Sequence, residues 1–372
     1  MAKIPTVYDV AERSRVSIAT VSRVLRSPDA VRDETRERVL EAVRYLGYVP
    51  SGNARALAAR RTNVIGLFFP GHDDLDAAAA IEHTSTGEVP VVVDDGFVGQ
   101  ETENLYFDEV LRGAEIEAWR RGFALMVAAG RGASREALVN DIAGRVDGLA
   151  VLARTVSDEL LAHVARRIPV VVLAGSERDD DFDHVSASNA PGMRTLASYV
   201  ITTHGVREPI YVAGPIDSPD DAERREGFRE ALRAAGIAEQ GLIAERGDFT
   251  REGGRAVAER LVARGVLTGA GVLTGASAGR RAIICSNDQT ALGVLDVLEA
   301  HGIRVPHEVL VTGFDGIAAG AHSRPRLTTV HQPMVELGRA AVHAITARLD
   351  DPALGPQSLT LPVRVVLRDS CP

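Results

Sequence analysis

Thr6-Val-Tyr-Asp-Val-Ala-Glu-Arg-Ser-Arg-Val-Ser-Ile-Ala-Thr-Val-Ser-Arg-Val-Leu25 is the stretch on which the rest of the chain turns. Thr6 with Asp9 three residues on is a capping-box start, in which each side chain holds an N–H that the first helical turn leaves unpaired. Val7, Val10 and Ala11 recur at i, i+3 and i+4, one apolar stripe of a short helix. Ser14-Arg15-Val16 breaks that pattern, and Ser17 offers a second N-cap. Val21, Val24 and Leu25 then form the buried side of a second helix, leaving Ile18, Ala19, Ser22 and Arg23 outside. Two short helices joined by a tight turn, with the early residues of the second exposed, predict a helix-turn-helix.

Outward from this stretch, Arg26 to Val31 carries turn chemistry, and a third amphipathic helix runs from Glu34 to Leu46 with Val39, Leu40, Val43 and Leu46 as its apolar stripe. Gly47 ends it as a C-cap. Asn53 to Arg61 reads as a short basic helix, too short to persist alone in water. From Val64-Ile-Gly-Leu-Phe-Phe69 the texture changes to continuous apolar runs, the mark of strands buried on both faces. Helices 105–121, 134–144 and 157–166 alternate with strands 123–128, 147–152 and 169–174. The alternation resumes with helices 190–203, 221–235, 251–264 and 288–301 and strands 209–213, 242–245, 281–285 and 309–313. It predicts an α/β chain of doubly wound parallel sheets arranged as two similar lobes. Asp-rich 176–184 falls near their junction, Thr328 to Pro333 reads as a further crossover, and helix 334–349 and a last strand 359–367 follow.

Length and charge bound the function. A chain of 372 residues predicts two or three domains, and 45% hydrophobic residues supply an ample core. Residues 1–62 carry 12 Lys/Arg against 7 Asp/Glu, a net +5, whereas the rest carries 30 against 44, a net −14. A basic head on an acidic body suits a head that meets polyanion and a body that meets something else. The runs are too short and interrupted for a membrane helix, and no secretory h-region follows Met1, so a cytoplasmic, nucleoid-associated protein is expected. Cys285 and Cys371 are expected as unpaired thiols. The Gly-x-Ser-x-Gly spacing occurs at Gly275 to Gly279, inside a Gly/Ala/Ser-rich stretch that reads as a flexible loop and not as a strand-to-helix elbow. HExxH and a Gly-rich phosphate loop after a strand are missing from the sequence, so neither an enzyme, a cofactor nor a metal is expected.

The chain resembles bacterial transcription regulators of the LacI/GalR family over nearly its whole length. In the head and hinge the resemblance rests on Thr6 to Ala11, Ala19 to Leu25, Thr35 to Leu40, Leu46 to Pro50 and Ala54 to Leu57. In the body it rests on Arg61 to Gly66, Glu103 to Phe107, Val146 to Leu149, Arg224 to Phe228, Gly247 to Phe249, Ser286 to Gly293, Val311 to Asp315 and Leu327 to Pro333. It implies a helix-turn-helix headpiece (1–50), a hinge helix (51–62) and a two-lobed periplasmic-binding-protein-like core (63–372). The lobes would divide at about 63–188 with 333–350, and about 189–331 with 356–372. Such a protein would bind pseudo-palindromic operator DNA as a repressor, form a homodimer or a tetramer, and take a small effector between its lobes. Sugars, sugar derivatives and nucleobases all suit that cleft. A solute-binding protein without a regulatory role is the alternative, sharing the core but not the head.

The resemblance also assigns roles. Ile18, Ala19 and Arg23 fall on base-reading positions; Arg23 has the planar fork that suits guanine, while Ile18 and Ala19 can only press on apolar base edges. Thr6, Thr20 and Ser22 are placed for phosphates, Ser17 falls among the DNA-binding positions beside them, Leu57 is placed for a minor-groove wedge, and Ala54 for close approach beside it. Asp315, Asn287 and Arg224 would bind effector polar groups, Phe249 would stack on it, and Tyr106 and Phe107 would close the other lobe. The structural alternatives are an Arg224–Asp315 pair that merely braces the cleft, core packing for Tyr106 and Phe107, and a core or lobe-interface position for Trp119. Departures from the family include Arg15 where a small turn residue is expected, Arg32 for a capping Ser, Arg26 for Asn, and insertions at Gly71 to Thr102 and Thr268 to Gly279.

Overall fold

A computed structural model describes residues 5–49, 61–70, 105–130, 135–175, 180–267 and 281–372. Ala54 and Leu57, with the hinge, and both insertions lie outside the described residues. The chain divides into two compact units, Met1–Asn63 and Val64–Pro372.

The first unit holds α1 (Val7–Ser14), α2 (Ile18–Arg26), a single 3₁₀ turn at Pro28–Ala30 and α3 (Asp33–Leu46). The capping box forms: the Thr6 N–H and hydroxyl both donate to Asp9 Oδ2, at 2.7 and 2.6 Å. Ser17 caps α2 by accepting the Thr20 N–H at 3.1 Å. Val10, Val21, Val24, Val39 and Ala42 make the small core. One expectation needs correcting, because Leu40 is 37% exposed and the smaller Ala42 takes its place inward. Successive residues of α3 turn by about 100°, so a stripe through Val39 and Val43 meets Ala42 and leaves Leu40 on its edge. Gly47 ends α3 at φ +62, a conformation that costs glycine little. Arg32, at the N-cap, makes no side-chain cap bond.

The second unit is α/β, with two parallel sheets built from alternating strands and helices. In the N-lobe run β1 (Val64–Pro70), α4 (Leu105–Arg120), β2 (Ala124–Gly130), α5 (Arg135–Ala143), β3 (Gly148–Leu152), α6 (Asp158–Ala165), β4 (Val170–Leu173) and β5 (Asp183–Ala187). The C-lobe follows with α7 (Asn189–His204), β6 (Ile210–Ala213), α8 (Pro219–Ala234), β7 (Ala244–Arg246) and α9 (Arg251–Ala263). It continues through β8 (Arg281–Cys285), α10 (Asp288–Ala300), β9 (Val309–Asp315), α11 (Ala318–His322) and β10 (Thr328–His331). The tail holds α12 (Met334–Asp350), β11 (Ser358–Leu361) and β12 (Arg364–Val366). The sheet orders are β11-β5-β4-β3-β1-β2 and β12-β10-β9-β8-β6-β7, and among the described strands the β10–β12 pair alone is antiparallel. Central strands are buried except for one end residue each of β3 and β8, as their continuous apolar runs require.

Two elements depart from expectation. The single last strand predicted at 359–367 is two strands in two different sheets, β11 beside β5 and β12 beside β10. Pro362 separates them, because it has no N–H for either ladder. Residues 358–361 therefore join the N-lobe sheet rather than the C-lobe. The junction segment also contains β5, every residue of it buried, although Asp183 and His184 break any apolar run. Tertiary partners make that burial tolerable: Asp183 pairs with Arg348 at 3.1 Å and accepts the Gln357 N–H at 2.9 Å, while His184 meets Asp180 at 2.8 Å. Trp119 is the other correction, since it stands 84% exposed on α4 instead of packing in a core or between lobes. Neither cysteine is in a disulfide, and both are buried.

Among the described residues the chain passes between lobes at Ser188, after β10, and between β11 and β12. Ser188 binds two of these passages together, its N–H and hydroxyl donating to the Leu361 carbonyl at 2.9 and 3.1 Å. No helix among the described residues is long and apolar enough to cross a membrane.

Candidate functional site

The first unit presents the outward side of α2. Ile18 is 39% exposed, Ala19 and Arg23 are exposed, and Val21 and Val24 point into the core. The helix can turn this face outward because a single residue reverses the chain. Arg15 adopts φ 52 and ψ 43, the left-handed region where a side chain costs about 1–2 kcal/mol. Ser14 is buried beside it and donates its hydroxyl to the Val10 carbonyl at 2.6 Å. Thr20 pairs with the Ser17 hydroxyl at 2.9 Å, and Ser22 is half-buried. Thr6 has its hydroxyl committed to Asp9. Arg23 is thus a long cationic donor on the exposed face of α2, which suits base-edge contact.

The second unit has a cavity of about 530 Å³ between the lobes, lined from the C-terminal ends of the strands. Tyr106, Phe107, Arg224, Phe249, Asn287 and Asp315 all line it. Open α/β sheets place ligand crevices there because helix N-termini and loop side chains converge on that edge. Strain concentrates at the same place. Arg154, Ala174, Phe249 and Asp315, four of the non-glycine residues at positive φ, all line this cavity.

Arg224 and Asp315 form its polar floor. Arg224 is buried, donates to Asn189 Oδ1 at 2.9 Å and the Ser286 carbonyl at 2.8 Å, and stacks 3.9 Å over the Phe314 ring. Its Nη1 lies 3.5 Å from Asp315, so the bracing ion pair is present and also faces the cavity. Burial lifts the Asp315 carboxyl to about 6, against the pull of Arg224 and of a 2.7 Å hydrogen bond from Gln332. Its φ of 120 is held from behind by Asp288, whose carboxylate accepts the Gly316 and Ile317 N–H groups at 2.8 and 2.9 Å and the Thr329 hydroxyl at 2.6 Å.

The remaining residues divide into walls and supports. Asn287 caps α10, accepting the Thr290 N–H at 3.1 Å, and its amide donates to the Phe249 carbonyl at 2.9 Å. Much of its bonding capacity therefore positions Phe249, which sits at φ 71 with its ring on Gly214. A β-carbon on Gly214 would lie 2.2 Å from that ring, so only glycine leaves room. Phe107 packs on Phe69 with centroids 4.8 Å apart and Tyr106 meets Phe107 edge-on at 5.3 Å. Burial, followed by Asp220 and Asp315, pushes the Tyr106 hydroxyl up, so it remains a donor.

Sequence reasoning missed Asp220, Asn189, Gln332 and the cavity arginines Arg135 and Arg154. Asp220 accepts from the Gly175 N–H at 3.1 Å and Asn189 Nδ2 at 2.9 Å, joining the N-lobe edge, a crossover and the C-lobe wall. The Ser218-Pro219-Asp220 helix start was its one local signal.

A helix-turn-helix unit and a two-lobed binding core with an interior cavity define a ligand-responsive DNA-binding regulator. Residues 6–51 match the description "Bacterial regulatory proteins, lacI family", and residues 201–371 match "Periplasmic binding protein-like domain". The regulator CelR of Thermobifida fusca is 31% identical over 98% of this chain and 98% of its own. The repressor PurR of Escherichia coli O1:K1 / APEC is 29% identical over 98% and 96%. Among solved structures, the lac repressor dimer bound to operator and the anti-inducer ONPF superposes with a TM-score of 0.76, at 25% identity and 99% coverage of both chains. A CelR–cellobiose complex gives 0.67 at 28% identity, covering 98% and 99%. The chain belongs to the lacI family of bacterial regulatory proteins. It is a DNA-binding transcriptional regulator and not an enzyme.

Proposed function

We propose that this regulator is a homodimeric repressor that binds a pseudo-palindromic operator and is released or engaged by a sugar-class effector held in the inter-lobe cavity. Ile18, Ala19 and Arg23 read base edges, with Arg23 bidentate to guanine, and Thr6, Ser17, Thr20 and Ser22 hold the phosphate backbone. Ala54 and Leu57 of the hinge meet the minor groove. Tyr106, Phe107, Arg224, Phe249, Asn287 and Asp315 bind the effector, Asp315 and Arg224 taking hydroxyls while the rings cover apolar faces. The protein acts in the cytoplasm.

One observation carries the effector half: a carboxylate, a guanidinium, an amide and three aromatic rings line one cavity of about 530 Å³. That volume and that chemistry suit a mono- or disaccharide, and the related CelR structure holds cellobiose. The exposed Arg23 on α2 supports the DNA half.

The test is binding of the full chain to operator-like duplexes over a salt series, with and without sugars. A sequence-specific regulator loses affinity steeply with salt while keeping its preference over random DNA. A dimer that never prefers any duplex to random DNA contradicts the reading. A preference that no sugar alters, together with no thermal stabilisation by any sugar, contradicts the effector assignment.

A further inference from the structure

The two walls of the cavity carry opposite charge. Among the described residues the C-lobe lines it with Asp217, Asp220, Asp248, Glu252 and Asp315 against Arg224, Arg251 and Arg255. Those arginines are neutralised: Arg224 by Asp315 at 3.5 Å, Arg251 and Arg255 by Asp296 at 2.6 and 2.9 Å. The described N-lobe lining holds Arg135 and Arg154 and contains no carboxylate.

These two cations differ from the others in having no ion pair with any described residue. Arg135, the first residue of α5, reaches only the Thr155 carbonyl, through Nη1 at a long 3.5 Å. Its Nε is buried and has no hydrogen-bond partner among the described residues. Arg154, next to Thr155, holds the left-handed φ of 60 at the end of β3, a conformation that costs energy for any residue with a β-carbon. A buried guanidinium N–H without an acceptor is expensive, and the planar fork matches a carboxylate or phosphate better than a hydroxyl.

We propose that the effector is an anionic sugar, whose phosphate or carboxylate is taken by Arg135 and Arg154 while its hydroxyls face Asp315, Arg224 and Asn287. This rests on the cavity being the effector site and narrows it to a ligand with one charged end. A neutral sugar would leave the buried Arg135 Nε without a counter-charge. An anion placed against the N-lobe wall also lies away from the C-lobe carboxylates that would repel it.

The experiment uses the full chain at constant ionic strength. Inorganic phosphate is titrated first, with chloride as the control, into wild type, Arg135→Gln, Arg154→Gln and, at an exposed arginine paired with Asp141 outside the cavity, Arg145→Gln, by thermal shift and calorimetry. Matched sugars follow: glucose, glucose 6-phosphate and glucuronate; ribose and ribose 5-phosphate; cellobiose and cellobionate. The expected result is phosphate binding that weakens about tenfold or more in Arg135→Gln and Arg154→Gln and is kept in Arg145→Gln, since each charge-assisted fork is among the stronger hydrogen-bonding arrangements. An anionic sugar should bind at least about tenfold more tightly than its neutral parent, a difference that both glutamine variants erase. Whether the phosphate or the carboxylate series responds identifies the group. Equal phosphate binding by all variants, or neutral sugars binding as tightly as anionic ones, overturns the proposal. Tight neutral binding that Asp315→Asn removes overturns only the anion and leaves the effector cavity standing, whereas silence toward every sugar overturns both.

Discussion

Replacing Arg224 by alanine isolates the central interaction of the cavity. The guanidinium makes two hydrogen bonds below 3.0 Å, an ion pair at 3.5 Å and a ring stack, all buried. Removing it leaves Asp315 as a buried carboxylate with Gln332 as its close side-chain donor. Breaking a buried pair from one side costs about 3–5 kcal/mol, a large part of the roughly 5–15 kcal/mol that holds a domain folded. The deficit should depend on pH with a determined sign. Burial already raises Asp315 from 3.8 to about 6 while Arg224 pulls it down, so losing the arginine raises it further. The folded state then holds a proton that the unfolded chain has released, and stability is lost as pH rises through that window and regained on acidification. The slope approaches about 1.4 kcal/mol per pH unit for one group. Urea unfolding of the second unit, followed by far-UV circular dichroism from pH 8 to pH 5, should show Arg224→Ala recovering toward wild type as pH falls. Adding Asp315→Asn should remove the part of the pH dependence that Arg224→Ala introduces and restore about 1–3 kcal/mol at pH 8, while Asp288, whose carboxyl burial also lifts to about 8, keeps its own contribution in both variants. A deficit that is the same at pH 8 and pH 5, with no rescue by Asp315→Asn, would show that the pair does not govern this floor.

Three further outcomes are expected. Arg23→Ala should cost about 1–3 kcal/mol of discrimination between operator and a single-base variant while leaving effector binding intact; equal loss on every duplex in a gel-shift series would mean that Arg23 contacts only phosphate. Arg15→Gly should stabilise the first unit by about 0.5–1 kcal/mol, the relief of its positive φ less the greater freedom of glycine when unfolded, measured by hydrogen exchange of α1 and α2 amides; slower exchange is expected, and faster exchange would show that the Arg15 side chain offsets its strain. Gly214→Ala should push the Phe249 ring from its seat and weaken sugar binding about tenfold or more with a smaller change in melting temperature; unchanged affinity would remove Phe249 from the effector surface.

Much of this protein is local in origin. Thr6 with Asp9, Ser17, and Gly47 set helix ends through bonds spanning three or four residues, so α1, α2 and α3 are visible in the residues themselves. The continuous apolar runs of β3, β4 and β8 are equally plain, because both of their faces are buried. The cavity residues were legible through resemblance, and lie together because the strands end on one edge. What stayed hidden depends on partners far along the chain. Strand β5 is polar, and only Arg348 and Gln357, more than 160 residues away in sequence, make its burial of Asp183 affordable. Pro362 divides a single apparent strand between two sheets, a choice that sequence position does not express. Trp119 looks like core by composition and stands in solvent by geometry. Arg135 carries no motif and Asp220 only a helix-start signal, and they face the cavity because the lobes bring α8 and α5 to its edge. Local free energy chose the helices and strands; long-range packing and charge compensation decided which of their side chains share a site.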